Sequence, residues 1–120
     1  MMEKKKNIVM DKSYTFALRA IKLYRHLTSN QKEYVLSKQV LRSGTSIGAL
    51  IKEAEHAQSK ADFINKMNIA LKEANETEYW LMLLHDSEYL DEKSFISISA
   101  DISELIKLLA SIVKTSKQNR

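Results

Sequence analysis

The sequence predicts an all-α protein, an antiparallel up-and-down four-helix bundle, and three observations predict it. The 120 residues include 2 Gly and 0 Pro, too few for a turn-rich β-sandwich or barrel and suited to long helices with short links. Four stretches space their apolar residues at helical steps of three and four. With 44% hydrophobic and 28% charged residues, the chain also has the size and balance of one ordinary globular domain.

The first helix is expected over residues 11–29. Phe16, Ala20, Leu23 and Leu27 form its stripe, with Ala17, Ile21 and Tyr24 beside it. Asp11 is the expected N-cap, and Thr28-Ser29-Asn30-Gln31 competes for the backbone at the other end. Residues 1–10 precede it as a basic N-terminal arm. The second helix, 37–57, carries Val40, Leu41, Ile47, Ile51 and Ala54, and encloses Gly44 and Gly48. Each interior glycine costs a helix about 1 kcal/mol relative to Ala, so a pair four apart predicts a stripe where another helix backbone approaches closely.

Ser59-Lys-Ala-Asp62 has the form of a capping box and opens the third helix, 60–86. Its seam is Phe63, Met67, Ala70, Ala74, Thr77, Leu81 and Leu84. The fourth helix, 92–115, carries Phe95, Ile98, Ile102, Leu105, Leu109 and Ile112, and residues 116–120 form a polar tail. The expected core is Phe16, Leu23, Leu27, Val40, Ile47, Ile51, Phe63, Met67, Leu81, Leu84, Ile98, Ile102, Leu105 and Leu109. Four helices with short links stack as an antiparallel bundle.

Several classes of function are excluded. There is no cysteine, hence no disulfide, thiolate nucleophile or cysteine zinc site. Ile8-Val9-Met10 is too short for a signal-peptide core, and no apolar run approaches the ~20 residues of a membrane span, so a cytoplasmic protein with no membrane partner is expected. No Gly-rich phosphate loop, His-Glu-x-x-His or Gly-x-Ser-x-Gly element is present. The best enzymatic lead is Glu53-x-x-His56, the spacing that places two ligands on one helix face in di-iron bundles. The rest of such a ligand set is missing: His26 and His85 have Leu23 and Met82 where a Glu would stand. Glu53 also lies about 200° around the helix from Ile51, away from the apolar seam. A small metal-dependent enzyme built on Glu53 and His56 is therefore the alternative reading. The main one has no catalytic residues, no metal and no cofactor. Glu73, Glu76 and Glu78 are read as partners for Lys or Arg of a neighbouring helix or subunit.

Charge is polarised. Residues 1–60 carry 12 Lys and Arg against 5 Asp and Glu, a balance of +7, and residues 61–120 carry 7 against 10, a balance of −3. That polarity either steers an acidic partner or draws the two halves together. On the first helix Lys12, Arg19, Lys22, Arg25 and His26 share the arc opposite the apolar stripe, and no acid falls between Lys12 and Lys32. This is the electrostatic footprint of a phosphate-backbone contact to RNA or DNA. Arg19, Lys22 and Arg25 are the expected binding residues, with Lys4, Lys5 and Lys6 assisting as a flexible arm. Tyr79-Trp-Leu-Met-Leu-Leu84 is apolar around nearly the whole circumference, more than one bundle seam uses. Trp80, Leu83 and Gly48 are accordingly the candidate contacts of a homo-oligomer.

Two blocks carry a resemblance. Leu41-Arg-Ser-Gly-Thr-Ser-Ile-Gly-Ala49, and Ser59 with Asp62-Phe-Ile64 and Ile69-Ala-Leu-Lys-Glu-Ala-Asn-Glu-Thr-Glu-Tyr-Trp-Leu81, resemble the four-helix-bundle family encoded in intervening sequences of bacterial 23S rRNA genes. The likeness spans residues 10–115. At 50–54 this chain has Leu-Ile-Lys-Glu-Ala where the family commonly has Asn-Ile-Ala-Glu-Gly, so no role is carried onto Leu50 or Ala54. The family is similar to the accessory variability proteins of diversity-generating retroelements, which form five-membered rings and bind nucleic acid and a protein partner through basic surfaces. The resemblance thus implies a four-helix bundle, a pentamer, no enzymatic activity, and a nucleic-acid-binding or adaptor role.

Overall fold

A computed structural model describes residues 2–119. They form α1 (Met2–Asn30), α2 (Leu36–Glu55), α3 (Lys60–Asp86) and α4 (Glu92–Gln118), with no strand among them. At ~1.5 Å per residue the 29 residues of α1 span about 43 Å, close to the long dimension of the 47 × 22 × 19 Å molecule. The links are too short to travel back along a helix, so successive helices run antiparallel. Each packs on its two neighbours in the ring α1, α2, α3, α4, and the α1–α4 contact that closes the ring is the thinnest. No described helix is long and apolar enough to cross a membrane.

Helix α1 begins earlier than its expected cap. Asp11 is an exposed mid-helix residue, and Lys4, Lys5 and Lys6 lie on the helix rather than on a flexible arm. The buried stripe already runs through Val9 and Ser13 to Phe16, Ala20 and Leu27, at steps of four, three, four and seven. With no Gly or Pro before Val9, nothing in the sequence stops the helix there. Ser116 is buried in α4, which carries the helix past 115 to Gln118. Met1 of the expected arm and Arg120 of the expected tail lie outside the described residues.

The caps follow local chemistry. Ser59 accepts a hydrogen bond from the Asp62 N–H at 3.0 Å, and Asp91 accepts one from Ser94 N–H at 2.7 Å. Helix α2 starts at Leu36, one residue before the expected Ser37, so its N-cap position is Val35, which has no side-chain acceptor, and a buried Glu33 takes the role. Its carboxylate accepts the N–H groups of Val35, Leu36 and Ser37 at 3.1, 2.9 and 2.7 Å. Burial pushes the Glu33 carboxyl up, but the donors from Leu36, Ser37 and Val35 outweigh it and hold it below the ordinary value.

Of the expected core, Leu23 and Phe63 are only partly buried, and the other twelve are buried. On α3 the seam begins at Ile64 instead of Phe63 and then follows Met67, Ala70, Ala74, Thr77, Leu81 and Leu84. The Thr77 hydroxyl lies 2.8 Å from that of Ser43 in the buried α2–α3 contact. Leu90, in the α3–α4 link, also joins the core.

Candidate nucleic-acid interface

The basic arc of α1 divides into two rows. Lys5, Lys12, Arg19 and His26 follow one another at seven-residue steps, which keeps them on one side of the helix. That side faces α4. Lys5 donates to the Ser111 hydroxyl at 2.7 Å, Lys12 lies 3.1 Å from Glu104, and Arg19 pairs with Asp101 at 2.6 Å while reaching Ser97 at 3.2 Å. Running antiparallel, the two helices thus align cations of α1 with acids and hydroxyls of α4. The opposite charges of the two halves of the chain attract within the fold here, and again where Arg42 of α2 joins Glu73 and Glu76 of α3 at 3.2 and 2.7 Å. The Arg42 hydrogen bond holds the Glu76 carboxyl below its ordinary value.

The second row points outward. Lys22 and Arg25 are exposed, and their side chains make no ion pair or hydrogen bond among the described residues. Exposed Tyr14 and Leu18 precede them on the same outer surface. Of the three lysines placed in the arm, Lys4 is exposed, Lys5 is tied to Ser111, and the Lys6 ammonium sits 4.6 Å from the centre of the Phe63 ring. The acid-free basic arc expected on α1 is thus present on the helix, but it is split between a row engaged with α4 and a row facing outward. The signal was present in the seven-residue spacing of Lys5, Lys12, Arg19 and His26, set against Glu104, Asp101 and Ser97 of the antiparallel partner.

Gly44 and Gly48 mark the close approach that their spacing predicts, and α1 of the same chain occupies it. A Cβ at Gly44 would lie 3.0 Å from the Ala20 Cβ and 3.3 Å from the Phe16 ring, and one at Gly48 would lie 3.3 Å from the Ser13 hydroxyl. Trp80 and Leu83 are half-buried, and Tyr79 and Met82 beside them are exposed. The Trp80 indole nitrogen is buried without a hydrogen-bond partner among the described residues.

Glu53 and His56 are both exposed at the end of α2, and Glu53 pairs with Lys66 of α3 at 3.0 Å. Among the described residues no three His, Asp or Glu side chains gather as a metal site would require. The other end of the bundle is richer in ionisable groups. His85 stacks on Phe95 at 4.1 Å between ring centres, with Nε2 3.1 Å from Glu92 and Nδ1 3.1 Å from Asp86. The Glu92 contact, helped by Asp86 and opposed by burial, raises the His85 pKa above its ordinary 6.5.

The 23S rRNA-intervening sequence protein family model matches residues 5–111. The chain belongs to that family. A crystal structure of an S23 ribosomal protein family member from Bacteroides thetaiotaomicron, described as a protein of unknown function, is 63% identical to this chain and superposes with a TM-score of 0.90. The match covers 92% of this chain and 98% of that one. No curated protein matches the sequence.

Proposed function

We propose that this member of the 23S rRNA-intervening sequence protein family is a non-enzymatic, homo-oligomeric scaffold of the cytoplasm that holds nucleic acid by its phosphates. The observation that carries the reading is the pair Lys22 and Arg25, two exposed cations without an acidic partner among the described residues, on a helix whose inner cations are matched by α4. Cations that no acid pairs with among the described residues are what a phosphate backbone attracts through counterion release. Arg19, engaged with Asp101 and Ser97, serves the fold in this reading. Lys4, exposed further along α1, adds a weaker contact.

Assembly gives the two cations their reach. The exposed Tyr79 and Met82 next to half-buried Trp80 and Leu83 offer an apolar surface to a second copy. In a ring of five, the number that the resemblance implies, each copy would repeat the Lys22–Arg25 contact and turn weak phosphate contacts into avid binding. Light scattering of the purified chain should give an oligomer at micromolar concentration; a monomer ends this part of the reading.

Affinity for a mixed-sequence RNA or DNA should fall steeply with salt. Replacing Lys22 and Arg25 together by Ala should weaken binding to all sequences alike and flatten the slope of log affinity against log salt by about 2, one for each lost phosphate contact. Arg19→Ala should leave that slope in place. Unchanged binding in the double variant would refute the proposal.

A further inference from the structure

Where the next rung of the α1–α4 ladder would fall, the two helices stand apart around a cavity of about 790 Å³. Its walls come from α1, α4, the end of α3 and the two links at that end, with Asp91 beside Glu88 as a second carboxylate. Helix α1 contributes Lys22, Leu23 and His26, the α3–α4 link contributes Glu88, Tyr89 and Leu90, and α4 contributes Ser94 and Ile98. The shape is braced. Gln31 donates to the Tyr89 carbonyl at 3.0 Å and lies 3.1 Å from the His26 ring, while the Tyr89 and Leu90 N–H groups both bond the Leu84 carbonyl, at 2.8 and 3.3 Å. Two links from opposite sides of the chain are thereby tied together, and the cavity exists before any ligand arrives.

We propose that this cavity holds one unstacked nucleotide, its base against Tyr89 and the Leu23, Leu90 and Ile98 side chains and its phosphate on Lys22. The inference rests on the nucleic-acid reading above and deepens it. The volume lies in the range of small-molecule sites. A simple anion would leave the apolar walls unused, and a wholly apolar ligand would strip water from Lys22, His26 and Glu88 without replacing it. A nucleotide matches both parts, a flat base for the aromatic and aliphatic walls and an anion for the lysine. Glu88 adds an acceptor for a base that carries an amino group. Arg25, three residues beyond Lys22 and also exposed, stands outside the cavity where a strand would continue. The single-stranded form is thus preferred, because a base paired in a duplex cannot enter.

The test uses the full chain with a short fluorescein-labelled single-stranded oligonucleotide, the same sequence annealed as a duplex, and free adenosine monophosphate. Ser94→Trp fills the cavity from an exposed position, and Tyr89→Leu removes the ring while keeping bulk. Both should weaken single-strand binding about tenfold, within what a base stacked on an aromatic side chain contributes, and leave duplex binding within about twofold. Lys22→Ala with Arg25→Ala should weaken both forms. Adenosine monophosphate should shift NMR resonances of the wild type and not of the Ser94→Trp variant; if it does so while no strand binds, the cavity takes a free nucleotide and only the strand-binding reading fails. If both variants bind single strand as the wild type does, or lose single strand and duplex equally, the cavity assignment is wrong while the Lys22–Arg25 reading stands.

Discussion

Helix α1 meets α2 across small residues and meets α4 across charges. On the α2 side Gly44 and Gly48 present bare backbone to Ala20, Phe16 and Ser13, and the helices approach closely enough for Phe16 to be fully enclosed. On the α4 side Lys5, Lys12 and Arg19 reach across with long side chains to Ser111, Glu104 and Asp101. Long polar side chains hold helices apart where glycines let them touch. The difference teaches how each contact is held: bare backbone lets α1 and α2 pack side chain against helix, whereas α1 and α4 are bridged by side chains that reach across, and surface cavities border both contacts, one of about 590 Å³ beside Gly48 and one of about 790 Å³ beside α4.

The comparison can be broken most directly at Phe16. Phe16→Ala should destabilise the protein by about 3–5 kcal/mol in urea or thermal unfolding, since it empties a fully buried site against Gly44. Next comes Gly44→Val, which adds bulk where a bare Cβ already stands 3.0 Å from that of Ala20. Helical propensity favours the substitution, but overpacking should win, at a net cost of about 1–3 kcal/mol. A neutral or stabilised variant would show that the two helices can part freely.

On the α4 side the expected effects are smaller. Arg19 and Asp101 leave 34% and 43% of their side chains exposed, so a double-mutant cycle with Arg19→Ala and Asp101→Ala should give a coupling below about 1 kcal/mol that shrinks as salt is added. A larger, salt-insensitive coupling would mean the ladder matters as much as the glycine contact. The smallest effect is expected at the α3–α4 corner. Because the His85 pKa is raised in the folded protein, its stabilising contribution is full below 6.5 and is lost as pH rises through the higher folded value. The difference in melting temperature between the wild type and His85→Gln should therefore shrink as pH rises above 6.5; a difference that is constant with pH would leave His85 a packing residue on Phe95.

Much of the architecture could be read from residue order alone. The seam from Met67 to Leu84, the Ser59 cap and the glycine approach all express rules confined to one helix or one turn. The start of α1 was misplaced because Asp11 has the chemistry of a cap, while the stripe through Val9 and Ser13 outweighs that local preference. Glu33 was passed over for a related reason. A glutamate four residues before Ser37 is unusual as a cap, and only the turn through Lys32, with φ 57°, swings its carboxylate under the first N–H groups of α2.

The arrangement of charge at the candidate site was half legible. Composition and the 100° step per residue determined that α1 carries an acid-free basic arc, because those are properties of one helix. Which of its cations remain available was decided by the neighbour: Asp101 and Glu104 are 82 and more residues away from their partners in the chain, and only antiparallel docking sets them opposite Arg19 and Lys12. The same docking, with the α3–α4 link wedged beside it, opened the cavity under Lys22. By itself the sequence determined the helices, their buried stripes and their total charge. Tertiary structure decided which charges neutralise each other, since Coulomb attraction depends on distances that no single helix contains.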